Sequence, residues 1–228
     1  MTTAVRVRDL HKSYPVGTGM LPVLRGVSFE VAKGELLAIV GESGSGKSTL
    51  LHLLGALDTP TSGEIIVGGL NPFQGSDASV SHFRNIHIGF VFQHNNLLPE
   101  FTALENVMMP GLIAGVADKI LREKAAALLE SVGLSHRAGH FPGMMSGGEQ
   151  QRTAIARALI NDPVLLLADE PSGNLDSQNA QKVHALFAEL NTRIQTTIVV
   201  VTHNTEFAHA LPRRLEMRDG CIIGDVKR

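Results

Sequence analysis

GESGSGKST, from Gly41 to Thr49, stands between the aliphatic run Leu36-Leu37-Ala38-Ile39-Val40 and a segment carrying Leu50, Leu51, Leu53, Leu54 and Leu57. The first flank reads as a buried strand and the second as a buried helix. Strand, glycine loop and helix form a phosphate-binding arrangement, because glycines let backbone N–H groups close on phosphate oxygens at a helix N-terminus. Gly41, Ser43, Gly44, Ser45, Gly46 and Thr49 are therefore candidate nucleotide contacts. Lys47 reaches the β and γ phosphates, and Ser48 can ligate Mg²⁺. A dinucleotide fingerprint fits worse: Thr49 occupies the place of the third glycine of GxGxxG, and Lys47 would have no role there.

The flanking chain is long enough to bury one sizeable core with an inserted lobe. It has 228 residues, 43% of them hydrophobic, and a formal net charge of −2. With that charge and no long basic block, the composition gives no support to a nucleic-acid partner. The single cysteine, Cys221, cannot form an intrachain disulfide, which agrees with a reducing compartment or simply with a small hydrophobe in a late strand. The start, MTTAVRVRDL, lacks the apolar core of a secretory signal. No apolar run approaches the roughly 18 residues that a membrane span requires. Val107 to Val116 is the most apolar segment, and Pro110, Gly111 and Gly115 interrupt it.

Alternation around Val5, Val7 and Leu10, and again at Val27, Phe29 and Val31, predicts two half-buried strands with Tyr14, the only tyrosine, between them. A ring placed there can stack on a nucleotide base or simply pack. Glu64 to Val67 reads as strand, Asn71 to Ser81 as irregular or partly helical, and Ile86, Ile88, Phe90 and Phe92 as a strand ending at Gln93. Helical patterns come next. Thr102 with Glu105 has capping-box spacing, and Pro110 is expected to stop or kink the helix they open. Asp118 is expected to cap a second helix ending at Gly133. Ser146 with Glu149 repeats the capping box ahead of a third. Residues 95–155 thus read as a helical insertion into an alternating α/β chain.

That alternation resumes with Val164-Leu165-Leu166-Leu167-Ala168, which delivers Asp169 and Glu170. Adjacent carboxylates at the end of an apolar strand are costly unless they meet a cation or do chemistry. Asp169 suits holding Mg²⁺, and Glu170 suits activating water. Val183, Leu186, Phe187, Leu190 and Ile194 mark an amphipathic helix, Ile198 to Val201 a buried strand ending near His203, and Asp219-Gly220 a hairpin turn.

Taken in order, the phosphate loop, Gln93, Ser146-Gly147-Gly148-Glu149-Gln150, Asp169-Glu170 and His203 resemble an ABC-type ATPase along essentially the whole chain. The resemblance implies a P-loop NTPase, RecA-like α/β core (1–94 and 156–228) with an N-terminal antiparallel β subdomain and an inserted α-helical subdomain (95–155). It implies ATP and Mg²⁺ as ligands, with Tyr14 stacking on adenine, Gln93 sensing Mg²⁺ and the attacking water, Glu170 as general base and His203 on the γ-phosphate. It further implies that Ser146, Gly147, Gly148 and Glu149, with the loop ending at Asp176, complete the ATP site of a second copy in a head-to-tail dimer. The chain departs from the family at Met145, where leucine is usual, and at Asn204, where aspartate is common. Within the family, GTGMLPVLRGVSF, LLPEFTALENVMMPGLIAG, ADEPSGNLD and LEMRDG are most similar to ATPase subunits of lipoprotein-releasing exporters. Macrolide, peptide or glycolipid efflux and cell-division signalling are the alternatives. The resemblance implies integral-membrane partner subunits and a peripheral place on the cytoplasmic face of the inner membrane. Leu97, Leu98, Phe101, Met108 and Met109 are candidate docking residues for a partner helix, with core packing of the helical lobe as the alternative for some of them.

Overall fold

The computed structural model describes residues 2–228. Its largest sheet is six-stranded, in the order β5 (Ile88–Val91), β6 (Leu165–Asp169), β7 (Thr197–Val201), β3 (Leu36–Gly41), β8 (Arg213–Arg218), β9 (Cys221–Lys227). Its first five strands are mutually parallel, and β9 turns back antiparallel on β8. Because side chains alternate along a strand, the continuous aliphatic runs supply two cores at once. Leu36, Ala38, Leu166, Ala168, Ile198 and Val200 join one apolar cluster. Leu37, Ile39, Leu165, Leu167, Val199 and Val201 join the other. A register slip of one residue would exchange these sets, so the pairing is strongly specified.

The second cluster is closed by α1 (Lys47–Leu54) and by an antiparallel sheet of β2 (Gly19–Ala32), β1 (Thr3–Val16) and β4 (Ser62–Val67). The first is closed by α3 (Ala103–Ile113), α4 (Asp118–Ser131), α5 (Gly147–Leu159), α6 (Ser177–Ile194) and α7 (Thr205–Ala210). Among the described residues, no helix is long and apolar enough to cross a membrane.

Several local expectations are corrected. Helix α2 (Asp77–His87) takes in Ile86, so β5 begins only at Ile88; the apolar alternation runs across the junction of helix and strand. Helix α1 ends at Gly55, leaving Leu57 exposed. Pro110 neither stops nor breaks α3, which continues to Ile113; its carbonyl accepts from the Ala114 N–H and also from the Asn85 and Asn161 side chains. Ala117, not Asp118, occupies the N-cap of α4, and Asp118 pairs with Arg122 one turn on. Tyr14 lies within β1, which with β2 makes one long twisted hairpin. Both expected capping boxes, Thr102/Glu105 and Ser146/Glu149, are formed.

The loop from β5 into α3 is tied by one buried amide. Asn106 Oδ1 accepts from Leu98 N–H at 2.8 Å, while Nδ2 donates to the Leu98, Phe101 and Thr102 carbonyls. Asn106→Ala strands these backbone groups and is expected to cost roughly 2–3 kcal/mol, read as a lower urea midpoint.

Candidate active site

Strand order brings the chemistry together. Because β7 lies between β3 and β6, the segment after β7 falls between the phosphate loop and the carboxylates that end β6. A cavity of 500 Å³ opens there at the carboxyl ends of the strands. Gly44, Lys47, Ser48, Thr49, Glu170 and His203 are among its walls, as are Gly41, Ser43 and Gly46. Val23, from the β hairpin, closes one side. Ser45 is buried behind the loop, its N–H bonded to the Glu42 carbonyl.

The loop is glycine-rich for steric reasons. Gly46 caps α1 at φ +99°, and a Cβ there would approach Leu24 Cδ2 to 2.9 Å. At Gly41 a Cβ would stand 2.3 Å from the Met217 carbonyl oxygen on the neighbouring strand. Lys47 Nζ donates to the Gly41 and Glu42 carbonyls, both at 2.8 Å, so its ammonium is held inside the loop's curve.

Asp169 and Glu170 do separate jobs because the backbone turns between them. Asp169 ends β6, and burial pushes its carboxyl above the ordinary range, against the pull of His52 and Lys47. Its Oδ1 is buried with no hydrogen-bond partner among the described residues. An orphaned buried carboxylate oxygen beside the Ser48 hydroxyl fits a hard cation. Glu170 leaves the strand at φ +44°, a left-handed conformation costly for a residue with a side chain. That turn aims its carboxylate at His203, with Oε1 at 2.8 Å from Nδ1. The carboxylate is 17% exposed and the imidazole 72%, so the acid is sheltered and the ring faces the cavity mouth.

Gln93, Asp176 and the α5 N-terminus lie outside this cavity, and neither Tyr14 nor Asp169 is among its walls. Gln93 rests on the loop after Glu170, its Nε2 donating to Asn174 Oδ1 at 3.3 Å while Asn174 Nδ2 donates to the Gln93 carbonyl. Asp176 caps α6 by accepting from Asn179 N–H at 2.9 Å. The N-terminus of α5, with Ser146 and Gly147 exposed, abuts Leu175 and Asn179 rather than the phosphate loop. There Ser146 Oγ accepts from Glu149 N–H, while the Glu149 carboxylate accepts from Ser146 N–H and from Arg137 Nε. The Ser146 N–H and then Arg137 hold the Glu149 carboxyl at about 2. Met145 is buried in the first core cluster, filling the place a leucine would. Asn204 caps α7 by accepting from Phe207 N–H at 2.8 Å, a task aspartate performs equally.

Sequence reasoning missed what holds Tyr14. Its hydroxyl donates to Asp58 Oδ2 at 2.7 Å, and Lys12 Nζ sits 4.7 Å from the ring centroid while bonding Asp58 Oδ1 at 2.6 Å. Burial, then Asp58, raises the phenol's pKa. Lys12 was detectable in principle, since it is two residues before Tyr14 on one strand face. Asp58, in an irregular turn, carried no signal. Of the two readings of Met108, docking or core, the structure gives core: it is buried in the first cluster.

This geometry, a glycine loop at the end of a strand with a sheltered glutamate and a histidine beyond the next strand, defines a P-loop ATPase cassette. The chain belongs to the ABC transporter family, whose model matches residues 24–173. It is 51% identical over 225 residues, 99% of this chain and 100% of the relative, to the lipoprotein-releasing system ATP-binding protein LolD of Geobacter metallireducens. The dimeric structure of the ATP-binding cassette MJ0796 in a post-hydrolysis state, bound to ADP and Pi, matches with TM-score 0.88, 38% identity and 98% coverage of each chain. The cbiO1 protein of Clostridium perfringens, part of the ABC transporter complex cbiONQ, matches with TM-score 0.88 and 25% identity over 100% of this chain and 89% of that one. The chain is an ATP-binding cassette that hydrolyses ATP.

Proposed function

We propose that this cassette is the ATPase subunit of an exporter that releases lipoproteins from the inner membrane, working as a head-to-tail pair on the cytoplasmic face beneath integral-membrane subunits. One observation carries the pairing: the α5 N-terminus, whose dipole favours an anion, stands beside Asn179 and not among the walls of the chain's own phosphate-loop cavity. A second copy facing the opposite way supplies Ser146, Gly147, Gly148 and Glu149 to the γ-phosphate, with its Asp176 loop alongside. The lipoprotein cargo rests on the full-length similarity to the Geobacter protein.

Within each site, Tyr14 stacks on adenine with the ring face opposite Lys12, and the loop N–H groups and Lys47 hold the phosphates. Ser48 and Asp169, with Gln93 brought in from the adjoining loop, would hold Mg²⁺, which neutralises charge on the β and γ phosphates when bound. Glu170 takes a proton from water as its oxygen attacks the γ-phosphorus and the bond to the bridging oxygen of ADP breaks. His203 keeps Glu170 oriented through Nδ1 and stands at the cavity mouth, where the γ-phosphate would lie.

For the membrane partner we assign the groove of 490 Å³ between α2, β5, α3 and α5, where Ile113 is 70% exposed beside Phe90, Phe92 and Arg84. A cytoplasmic helix with an apolar face fits such a groove. Ile113→Asp is expected to weaken copurification of the membrane subunits roughly tenfold, as loss of an apolar anchor does. The cargo is tested in proteoliposomes containing the copurified membrane subunits and an acylated lipoprotein. ATP-dependent transfer of the lipoprotein to a soluble acceptor is expected. Turnover stimulated by macrolide, peptide or glycolipid without lipoprotein transfer would reassign the cargo, and stimulation by a cell-wall hydrolase regulator would make this a signalling ATPase.

A further inference from the structure

Behind the Glu170–His203 contact lies a second cavity, of 260 Å³, walled by the loop after Glu170, by α6 and by the start of α7. His184 of α6 enters it and makes two contacts of different kinds. Its Nε2 shares a 2.7 Å hydrogen bond with Ser172 Oγ. Its ring stacks on Phe207, with centroids 3.7 Å apart and planes inclined by 3°. Ser172 lies two residues after Glu170, and Phe207 four after His203. Both are anchored: Leu175 N–H bonds the Ser172 carbonyl, while Phe207 is buried and its N–H is bonded to the Asn204 cap.

We propose that His184 is a positioning residue for ATP hydrolysis, clamping the loop after Glu170 to the helix after His203 so that the carboxylate and the imidazole hold their contact. The clamp answers a specific need. Glu170 sits in a left-handed conformation that persists only where its surroundings over-determine it. On the loop's other side Asn174 is bonded to Gln93, so the same short segment is gripped from both flanks. Histidine suits the task because one ring offers both an aromatic face for Phe207 and a polar edge for the serine. Burial lowers the His184 pKa and so favours the neutral ring, which packs flat on an apolar neighbour.

This inference rests on the reading of Glu170 as the base. The test is steady-state ATP hydrolysis by the full chain with its membrane subunits. His184→Phe keeps the stack and removes the hydrogen bond, and Ser172→Ala removes it from the other side. Each is expected to lower kcat about tenfold, the worth of one hydrogen bond, with the KM for ATP changed less than about twofold. The double variant should be no slower than either single one, because both remove a single interaction. Ser172→Thr, which returns a hydroxyl, should regain most of the rate. Unchanged kcat in either single variant, or a double variant losing the product of the two factors, would overturn the proposal and leave His184 a packing ring. Should His184→Phe fail to fold, the serine series decides alone: loss in Ser172→Ala with recovery in Ser172→Thr supports the clamp, and normal turnover in Ser172→Ala refutes it. An active Glu170→Gln enzyme would instead sink the reading of the base. An inactive one alongside a fast His184→Phe enzyme sinks only the clamp.

Discussion

Glu170→Gln is expected to bind ATP with near-normal affinity and to lose turnover by roughly 100- to 10,000-fold, the range that general-base removal produces. The substitution preserves the shape of the side chain, and its amide can still meet His203 across the 2.8 Å contact. What it cannot do is accept a proton from water. The fully charged γ-phosphate then persists between the two copies, and the pair accumulates as an ATP-bound dimer, visible as a shift to twice the mass in sedimentation. Hydrolysis at the normal rate would remove Glu170 from the chemistry. A variant that neither binds nor dimerises would instead place Glu170 in nucleotide binding.

Lys47→Ala should show the opposite pattern, with ATP affinity falling by roughly 30- to 200-fold, corresponding to about 2–3 kcal/mol for a charge-assisted hydrogen bond to phosphate. The lysine ammonium already lies within the loop, bonded to the Gly41 and Glu42 carbonyls. Among the described residues walling that cavity, its removal deletes the only strong positive charge apart from any on His203. Calorimetric titration reports this directly, and unchanged affinity would refute the assignment of the loop.

How much of this was readable beforehand depends on the physics behind each feature. Buried strands announced themselves because residues with apolar neighbours on both faces leave continuous aliphatic runs, as at Leu36–Val40 and Val164–Ala168. Capping boxes were legible because the hydrogen bonds are local, spanning three residues at Thr102/Glu105 and Ser146/Glu149. The places of the loop, Asp169 and Glu170 at strand ends were legible because each follows a continuous aliphatic run. The boundary between α2 and β5 was not, since Ile86 and Ile88 suit either period. Pro110 misled because α3 runs only three residues beyond it and its carbonyl still accepts the Ala114 N–H of the closing turn. The Lys12–Asp58 support of Tyr14 and the contacts of His184 join residues far apart in sequence, and no local pattern encodes them.

The placement of the α5 N-terminus beside Asn179 has a kinetic consequence. If each catalytic centre is assembled from two molecules, the enzyme's own concentration enters its rate law. Below the dissociation constant of the ATP-bound pair, the isolated subunit should hydrolyse ATP with a reaction order of about 2 in protein, falling to about 1 once association saturates. Anchoring two copies beneath a common membrane partner replaces that bimolecular search with a fixed, high effective concentration. The partner thereby acts as an activator before it transmits any conformational signal.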